Sequence, residues 1–383
     1  MRYFLDVAWQ QLTKAGEELC GDSVEVVPTV DGKIVVLSDG LGSGVKANIL
    51  SCLTVKTAST MFKMGGKVDE VIETLLYTLP ICKVRHLAYS TFAILSIRED
   101  GQVYLAEYDT PQAIVGRAGC LRRIERQERV ISDKKVAEAY FTLEDGDWIV
   151  LVSDGILHAG IGGVFNMGWG HERLSSFLCQ LGESDKDAGA WVGEIVSLCH
   201  NLYGGKPGDD ASVVVVKARL PRLLTLLVGP PADTTRDREV VEKLLHSGGR
   251  KIVCGGSTGN MVGRFLGQEV LVDLSSTDSR VPPLGILPGI DLVTEGTLTL
   301  AYALELLRQN AKMQNLSGCR DGASRLVMQL LWADKIHFLV GTAVNPAQLA
   351  PQIPSLFAYK QRVIDDLVEL LKTYGKEVIV EHH

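Results

Sequence analysis

No apolar stretch in this sequence reaches the roughly 18 residues needed to cross a bilayer. Met1–Gly21 also carries charged residues where the apolar core of a signal peptide would stand. The chain is therefore expected to be cytoplasmic, with no membrane partner. Basic residues are in short supply: 39 Lys and Arg against 46 Asp and Glu give a formal net charge of −7. Phosphate backbones reward basic patches, so nucleic acid is not an expected partner. The eight cysteines (Cys20, Cys52, Cys82, Cys120, Cys179, Cys199, Cys254 and Cys319) include no C-x-x-C pair. That scatter suits neither a zinc site nor a disulfide scaffold and reads as reduced thiols in a cytosol.

What remains is ordinary globular material, 46% hydrophobic and 22% charged. At 383 residues the chain is long for one core, so two domains are expected, 1–220 and 222–383. In the first, β-rich runs flank Asp-Gly pairs: Ser23–Val30 and Lys33–Leu37 around Asp31-Gly32, and Thr91–Ile97 and Gln102–Glu107 around Asp100-Gly101. A third set is Tyr140–Leu143 and Trp148–Val152 around Asp145-Gly146. All three read as hairpins. Helical patterns cover Val45–Lys63, Val68–Thr78, Glu172–Leu181 and Asp187–Leu202, and Ala211–Lys217 reads as a closing strand. The expected class is α+β, with antiparallel layers. The turn-rich Ala218–Pro221 marks the boundary.

Beyond it, strands at Arg222–Val228, Lys251–Gly255, Glu269–Asp273, Lys335–Val340 and Glu377–Val380 alternate with helical patterns. These cover Arg236–His246, Gly259–Leu266, Leu298–Gln309, Asp321–Leu331 and Lys360–Lys372. Such alternation predicts a smaller α/β domain with a parallel or mixed sheet. Ser276–Pro288 is expected to be an irregular loop.

Asp-Gly occurs six times, so context has to separate the cases. Asp321 reads as a helix N-cap. Asp39 and Asp154 each end an apolar run, in the matching segments DGKIVVLSDG (31–40) and DGDWIVLVSDG (145–155). Both aspartates could be plain turn residues, or two facing sheets could deliver them to one edge. Asp22, before the first long strand, and Asp209 in GKPGDDAS (205–212), before the last, add two more acidic strand ends. If they converge, two carboxylates about 4 Å apart repel by roughly 4 kcal/mol at an effective dielectric of 20. A divalent cation would resolve this, and hard oxygen ligands select Mg²⁺ or Mn²⁺.

The series Gly21-Asp22, Ser38-Asp39-Gly40-Leu41-Gly42-Ser43-Gly44, Ser153-Asp154-Gly155 and Gly208-Asp209-Asp210-Ala211-Ser212 resembles the PP2C-type serine/threonine phosphatases. It is most similar to their bacterial sporulation stage II protein E and sigma-regulator branch, over residues 1–220. Tyr89-Ser90-Thr91-Phe92-Ala93 resembles that branch too. The resemblance implies an antiparallel β-sandwich flanked by helices and two Mn²⁺ or Mg²⁺ ions. Asp39 would bridge the ions with help from the Gly40 carbonyl, Asp154 and Asp209 would hold the first, and Asp22 the second. The reaction implied is attack of ion-activated water on a phosphoserine or phosphothreonine, Asp39 and Asp22 being the catalytic pair, with no phosphoenzyme. An anti-sigma-factor antagonist is the kind of phosphoprotein substrate implied, and a homodimer the kind of assembly. Two departures from eukaryotic PP2C enzymes stand out. Leu41 occupies the place of their histidine, and no arginine near the N-terminus, Arg2 included, matches their phosphate-binding residue.

Asp210 reads as a turn residue rather than a third-ion ligand. His158, four residues after Asp154, could be read as a proton shuttle or metal ligand but is discounted, with His171, His382 and His383, as a lone histidine, and Trp148, Trp169, Trp191 and Trp332 are read as packing. The Val45–Lys63 helix follows Asp39-Gly40 directly, so its movement would move a metal ligand; it is either a switch or a core helix. In the second domain, Gly255, Gly256, Ser257 and Thr258 leave a strand and enter a helix. That geometry is either a tight connection or an anion site for a small-molecule or phosphate effector, with Gly341–Pro346 as an opposite wall. The alternatives to a phosphoprotein phosphatase are a signalling scaffold without turnover and a small-phosphomonoester hydrolase.

Overall fold

The computed structural model describes residues 2–78, 90–131, 133–276, 280–310, 313–343 and 356–383. Tyr89, Cys82, and Val344 to Pro346 of the proposed wall lie outside these. The chain divides into two compact units, Met1–Leu220 and Pro221–His383.

The first unit runs β1 (Phe4–Leu12), β2 (Asp22–Pro28), β3 (Gly32–Asp39), α1 (Gly44–Lys63), α2 (Val68–Thr78), β4 (Phe92–Arg98), β5 (Gln102–Tyr108) and β6 (Ile114–Arg117). It continues with β7 (Cys120–Leu121), β8 (Gln127–Ile131), β9 (Lys134–Thr142), β10 (Asp147–Val152), α3 (Asp154–His158), α4 (Gly170–Gly182), α5 (Ala188–Leu202) and β11 (Ala211–Arg219). Two antiparallel sheets form, in the orders β1-β11-β10-β6-β7 and β2-β3-β4-β5-β9-β8. The period of two along a strand explains why the central strands read as continuous apolar runs. Val35 and Leu37 of β3 meet Ile149 and Leu151 of β10 and Val214 and Val216 of β11 between the sheets. Ile34 and Val36 face the other way, into the core shared with α1 and α2. Trp148 and Val150 likewise pack on Trp191 and Ile195 of α5. The result is an α+β sandwich with helices on both outer faces.

One hairpin expectation fails. Asp31-Gly32 and Asp100-Gly101 do join paired strands, but β9 pairs with β5 and β8 while β10 pairs with β11 and β6. Asp145-Gly146 therefore carries the chain from one sheet to the other. Its Asp145 carboxylate accepts from the Leu220 amide at 2.8 Å, and Gly146 N–H donates to the Ala218 carbonyl. A turn dipeptide specifies reversal, not which strand the next one joins. Strand β1, absent from the sequence expectations, pairs with β11 along its whole length.

The second unit runs β12 (Leu223–Val228), α6 (Asp237–His246), β13 (Arg250–Cys254), α7 (Gly256–Leu266), β14 (Leu271–Asp273), β15 (Leu284–Ile286) and β16 (Leu292–Thr294). Then follow α8 (Thr297–Arg308), α9 (Met313–Leu316), α10 (Gly322–Trp332), β17 (Lys335–Val340), α11 (Leu356–Thr373) and β18 (Glu377–His382). Its sheet order is β14-β15-β16-β13-β12-β17-β18. The five strands from β16 to β18 are parallel, and β14 and β15 form an antiparallel edge. Leu224 and Leu226 face α8, α10 and α11, whereas Leu227 faces α6, as a doubly wound α/β sheet requires. The Ser276–Pro288 segment is not wholly irregular, since β15 lies within it. Strands β15 and β16 are three residues each, too short to carry a periodic signal.

Candidate metal centre

The β2–β3 register places Asp22 directly across from Asp39. On the other sheet, β10 lies beside β11, and the pairing continues past Val152 through the Ser153 amide, which donates to the Ser212 carbonyl at 3.0 Å. Asp154, at the exit of β10, therefore stands next to Asp209, at the approach to β11. Ser153 then ties the two sheets. Its hydroxyl donates to Asp22 Oδ2 at 2.7 Å and accepts from the Ser212 amide at 2.8 Å. The serine of the second Ser-Asp-Gly thus has a structural task that its sequence context did not reveal. The first serine, Ser38, bonds Ser90 Oγ and the Thr91 carbonyl, each at 2.6 Å.

Both glycines that follow these aspartates are required by close backbone approach. A Cβ on Gly40 would lie 2.1 Å from the Ala47 carbonyl oxygen of α1, and one on Gly155 would lie 2.0 Å from that of Asp210. The Asp-Gly pairs at the two strand exits are therefore docking points, against α1 and against the segment leading to β11. α1 is tied to the same corner by Asn48 Nδ2, which donates to the Cys20 carbonyl at 2.8 Å. Gly40 N–H donates to the Gly21 carbonyl, and Gly40 bridges Ser90.

Electrostatics show that the four aspartates share one space. Burial, followed by the negative charges of Asp22, Asp154 and Asp209, pushes the Asp39 carboxyl up to about 9. Burial pushes Asp22 up to about 6; hydrogen bonds from Ser153 and Ser212 oppose this, and the charges of Asp210 and Asp154 add to it. Burial and then Asp154 raise Asp209. Among the described residues, no lysine or arginine forms an ion pair with any of the four, and Asp22 Oδ1 is buried without a hydrogen-bond partner. Clustered carboxylates without a cation either take up protons or bind a metal. The orphaned oxygen and the all-carboxylate corner fit a divalent ion.

Two neighbours differ from expectation. Asp210, read as a turn residue, is buried: its Oδ1 accepts from the Lys14 amide at 3.0 Å, and its Oδ2 is buried without a partner. His158, discounted as a lone histidine, joins Asp154 and Asp209; one ligand-capable atom from each of the three lies within 4.8 Å of the others. Its four-residue spacing from Asp154 is the sequence signal for this, and α3 puts the two on one helix face. A groove of about 830 Å³ adjoins this corner, with His158, Ile161, Tyr203, Lys206 and Asp209 among its walls.

In the second unit, Gly255 to Thr258 do leave β13 and open α7. Thr258 Oγ1 is buried without a partner. Glu295 already brings a carboxylate oxygen to within 2.8 Å of where a Cβ on Gly256 would be. Gly341 packs on the backbone of Gly229 and Pro230, beside β12.

Two facing antiparallel sheets with an acidic corner at one edge, helices on the outer faces and a groove alongside define the class: the first unit is a PP2C-type phosphoprotein phosphatase domain. Residues 30–219 match the family model described as Stage II sporulation protein E (SpoIIE). Comparison with curated proteins gave no match. Among solved structures, the chain is similar to the phosphatase domain of SpoIIE from Bacillus subtilis, at 19% identity and a TM-score of 0.45, covering 57% of this chain and 94% of that one. It is also similar to the RsbU and RsbW domains of Rv1364c from Mycobacterium tuberculosis, at 17% identity and a TM-score of 0.47, covering 63% and 67%. A third is RsbX in complex with magnesium, at 20% identity and a TM-score of 0.41, covering 56% and 95%.

Proposed function

We propose that the first unit hydrolyses a phosphoserine or phosphothreonine on a bacterial regulatory protein, using two divalent ions, Mn²⁺ or Mg²⁺. Asp39 and Asp22 hold the catalytic core of the site, with Asp154 and Asp209 completing one ion's ligands and the Gly40 carbonyl assisting. The observation that carries this is the convergence at one sheet edge of four buried or half-buried carboxylates that, among the described residues, form no ion pair with lysine or arginine. When bound, the ions supply charge neutralisation and an activated water. The chain's own residues do the rest. Ser153 holds the Asp22 carboxylate in orientation from the facing sheet, Gly40 and Gly155 let the two strand exits approach, and Lys206 on the groove wall offers a cation to a phosphate dianion.

Regulation is proposed to act through α1. This helix buries small and polar residues, among them Ala47, Ser51, Thr54 and Ser59, while Val45, Ile49 and Leu53 stand exposed at four-residue spacing. Val55, Ala58 and Phe62 hold the later part of the helix in the core, while the exposed aliphatics of its first part offer a face to a second copy of the chain. The second unit is proposed as the sensor, with Gly255, Gly256, Ser257 and Thr258 taking an anionic small molecule in place of Glu295. A phosphoprotein of the anti-sigma-factor-antagonist kind is the proposed substrate, and the cytoplasm the proposed location; no helix among the described residues is long and apolar enough to cross a membrane.

The test is phosphate release with Mn²⁺ or Mg²⁺ from a phosphopeptide, from p-nitrophenyl phosphate and from sugar phosphates. Faster turnover of the phosphopeptide supports the proposal. Release from sugar phosphates alone makes the protein a small-phosphomonoester hydrolase, and no release from any substrate makes it a scaffold.

A further inference from the structure

We propose that His158 is a nitrogen ligand of the ion held by Asp154 and Asp209, and that it tilts this centre toward first-row transition ions and away from Mg²⁺. The inference rests on the phosphatase reading and adds a donor to it that the four aspartates do not provide.

The geometry comes from the shortest helix of the first unit. Asp154 opens α3 and His158 closes it, so the two side chains lie one turn apart on the same face. His158 Nδ1 is 3.8 Å from Asp154 Oδ2. With Asp209 they form a trio whose ligand atoms all lie within 4.8 Å of one another, a little wider than the roughly 4.0–4.4 Å that ligands at about 2.0–2.2 Å from one ion can span, so the three side chains would close in slightly around it. α3 is also well anchored. Ile156 is fully buried beneath it, the Tyr203 hydroxyl donates to the Gly155 carbonyl at 2.6 Å, and the Trp169 amide donates to the Ala159 carbonyl at 2.8 Å. The imidazole is thus carried on a fixed turn while its ring stays half exposed, on the wall of the groove.

The chemical consequence follows from ligand type. Mg²⁺ prefers oxygen donors in a near-ideal octahedron and keeps its waters. Imidazole nitrogen is a softer donor and gains most with transition ions. A centre that adds one imidazole to its aspartates therefore discriminates between ions more sharply than an all-aspartate centre. The companion ion would be held by the carboxylates of Asp22 and Asp39, so the two halves of the site differ in the donors they offer.

The experiment uses the full chain without any added histidine tag, loaded with one equivalent of Mn²⁺ after chelator treatment. Electron spin-echo modulation reads a directly bound ¹⁴N, and calorimetric titrations compare Mn²⁺ with Mg²⁺. The wild type is expected to show nitrogen modulation that is absent in His158→Gln and His158→Asp. The preference for Mn²⁺ over Mg²⁺ is expected to fall by about tenfold or more in His158→Asp. Circular dichroism should be unchanged in both variants, since the ring is half exposed. If Mn²⁺ binds the wild type without nitrogen modulation, or with an ion preference unchanged by either variant, His158 is a groove-wall residue and the proposal fails while the phosphatase reading stands. If neither ion binds the wild type at all, the phosphatase reading fails and takes the proposal with it.

Discussion

The first unit buries carboxylates in two ways, and the contrast separates architecture from chemistry. Asp147 is fully buried, yet Arg117 Nε donates to it at 2.5 Å, Arg122 Nη1 at 3.1 Å and the Glu144 amide at 2.8 Å. Glu107 is likewise buried against Arg126, with Nε at 2.7 Å and the Ala113 amide at 2.5 Å. Each of these charges is paired by the chain itself. At the sheet edge the order is reversed: Asp22 and Asp39 are also removed from water, but their neighbours are Asp154, Asp209 and Asp210. Among the described residues the structural carboxylates are paired with arginine and the sheet-edge group is not, an arrangement that suits a cation from outside.

The largest break in this comparison is Asp39→Asn. It removes a charge from the centre of the unpaired group, and Mn²⁺-dependent phosphate release is expected to fall below detection. The metal-free protein should unfold at a higher temperature than wild type, because a like-charge contact is gone. Next comes Asp147→Asn, which should do the opposite. Loss of a buried ion pair costs about 3–5 kcal/mol, and because Arg117 and Arg122 reach solvent the expected loss is nearer 2–3 kcal/mol. Urea unfolding measures it, and metal affinity should be unchanged.

The pH dependence sharpens the same contrast. Asp22 and Asp39 rise from an ordinary 3.8 to about 6 and about 9. Their contribution to metal-free stability is therefore complete below pH 3.8 and is lost as pH climbs through those values. Thermal unfolding in chelator should shift downward from acid to pH 9, and Asp39→Asn should flatten that slope. Glu25 behaves inversely: burial raises it, but hydrogen bonds from Lys56 and Lys63 outweigh that and lower it from 4.5 to about 2. Its contribution is present above pH 4.5 and fades as pH falls toward 2, so Glu25→Gln should reduce the acid sensitivity. The smallest effect belongs to Asp100→Asn, at an exposed hairpin where the carboxylate accepts from the Gln102 amide. Stability should change by about 0.5 kcal/mol or less, and activity should not change; a dead Asp100 variant would dissolve the distinction between turn and site aspartates.

Asp31, Asp100 and Asp145 show how far local signals reach. All three are turns, as the Asp-Gly pairs predicted, yet only two close hairpins, because partner choice depends on which sheet buries the next strand. His158 is discounted on sequence alone for a related reason: its four-residue spacing from Asp154 is visible, but one short turn of helix after a strand has no periodicity to show that the two share a helix face. Asp210 looked like the second half of a turn, and only the fold places its carboxylate against Gly21 and the Lys14 amide.

By itself the sequence determined which residues end strands, that two of those ends repeat one Ser-Asp-Gly pattern, and that apolar runs such as 34–37 and 149–152 would be buried on both faces. These are properties of chain-local geometry and composition. Tertiary structure alone decided that β2–β3 and β10–β11 meet at one edge and that Ser153 joins them. Each of those depends on contacts between residues more than a hundred positions apart, such as Ser153 with Asp22, and no local pattern encodes a contact whose partner is chosen by the packing of two whole sheets.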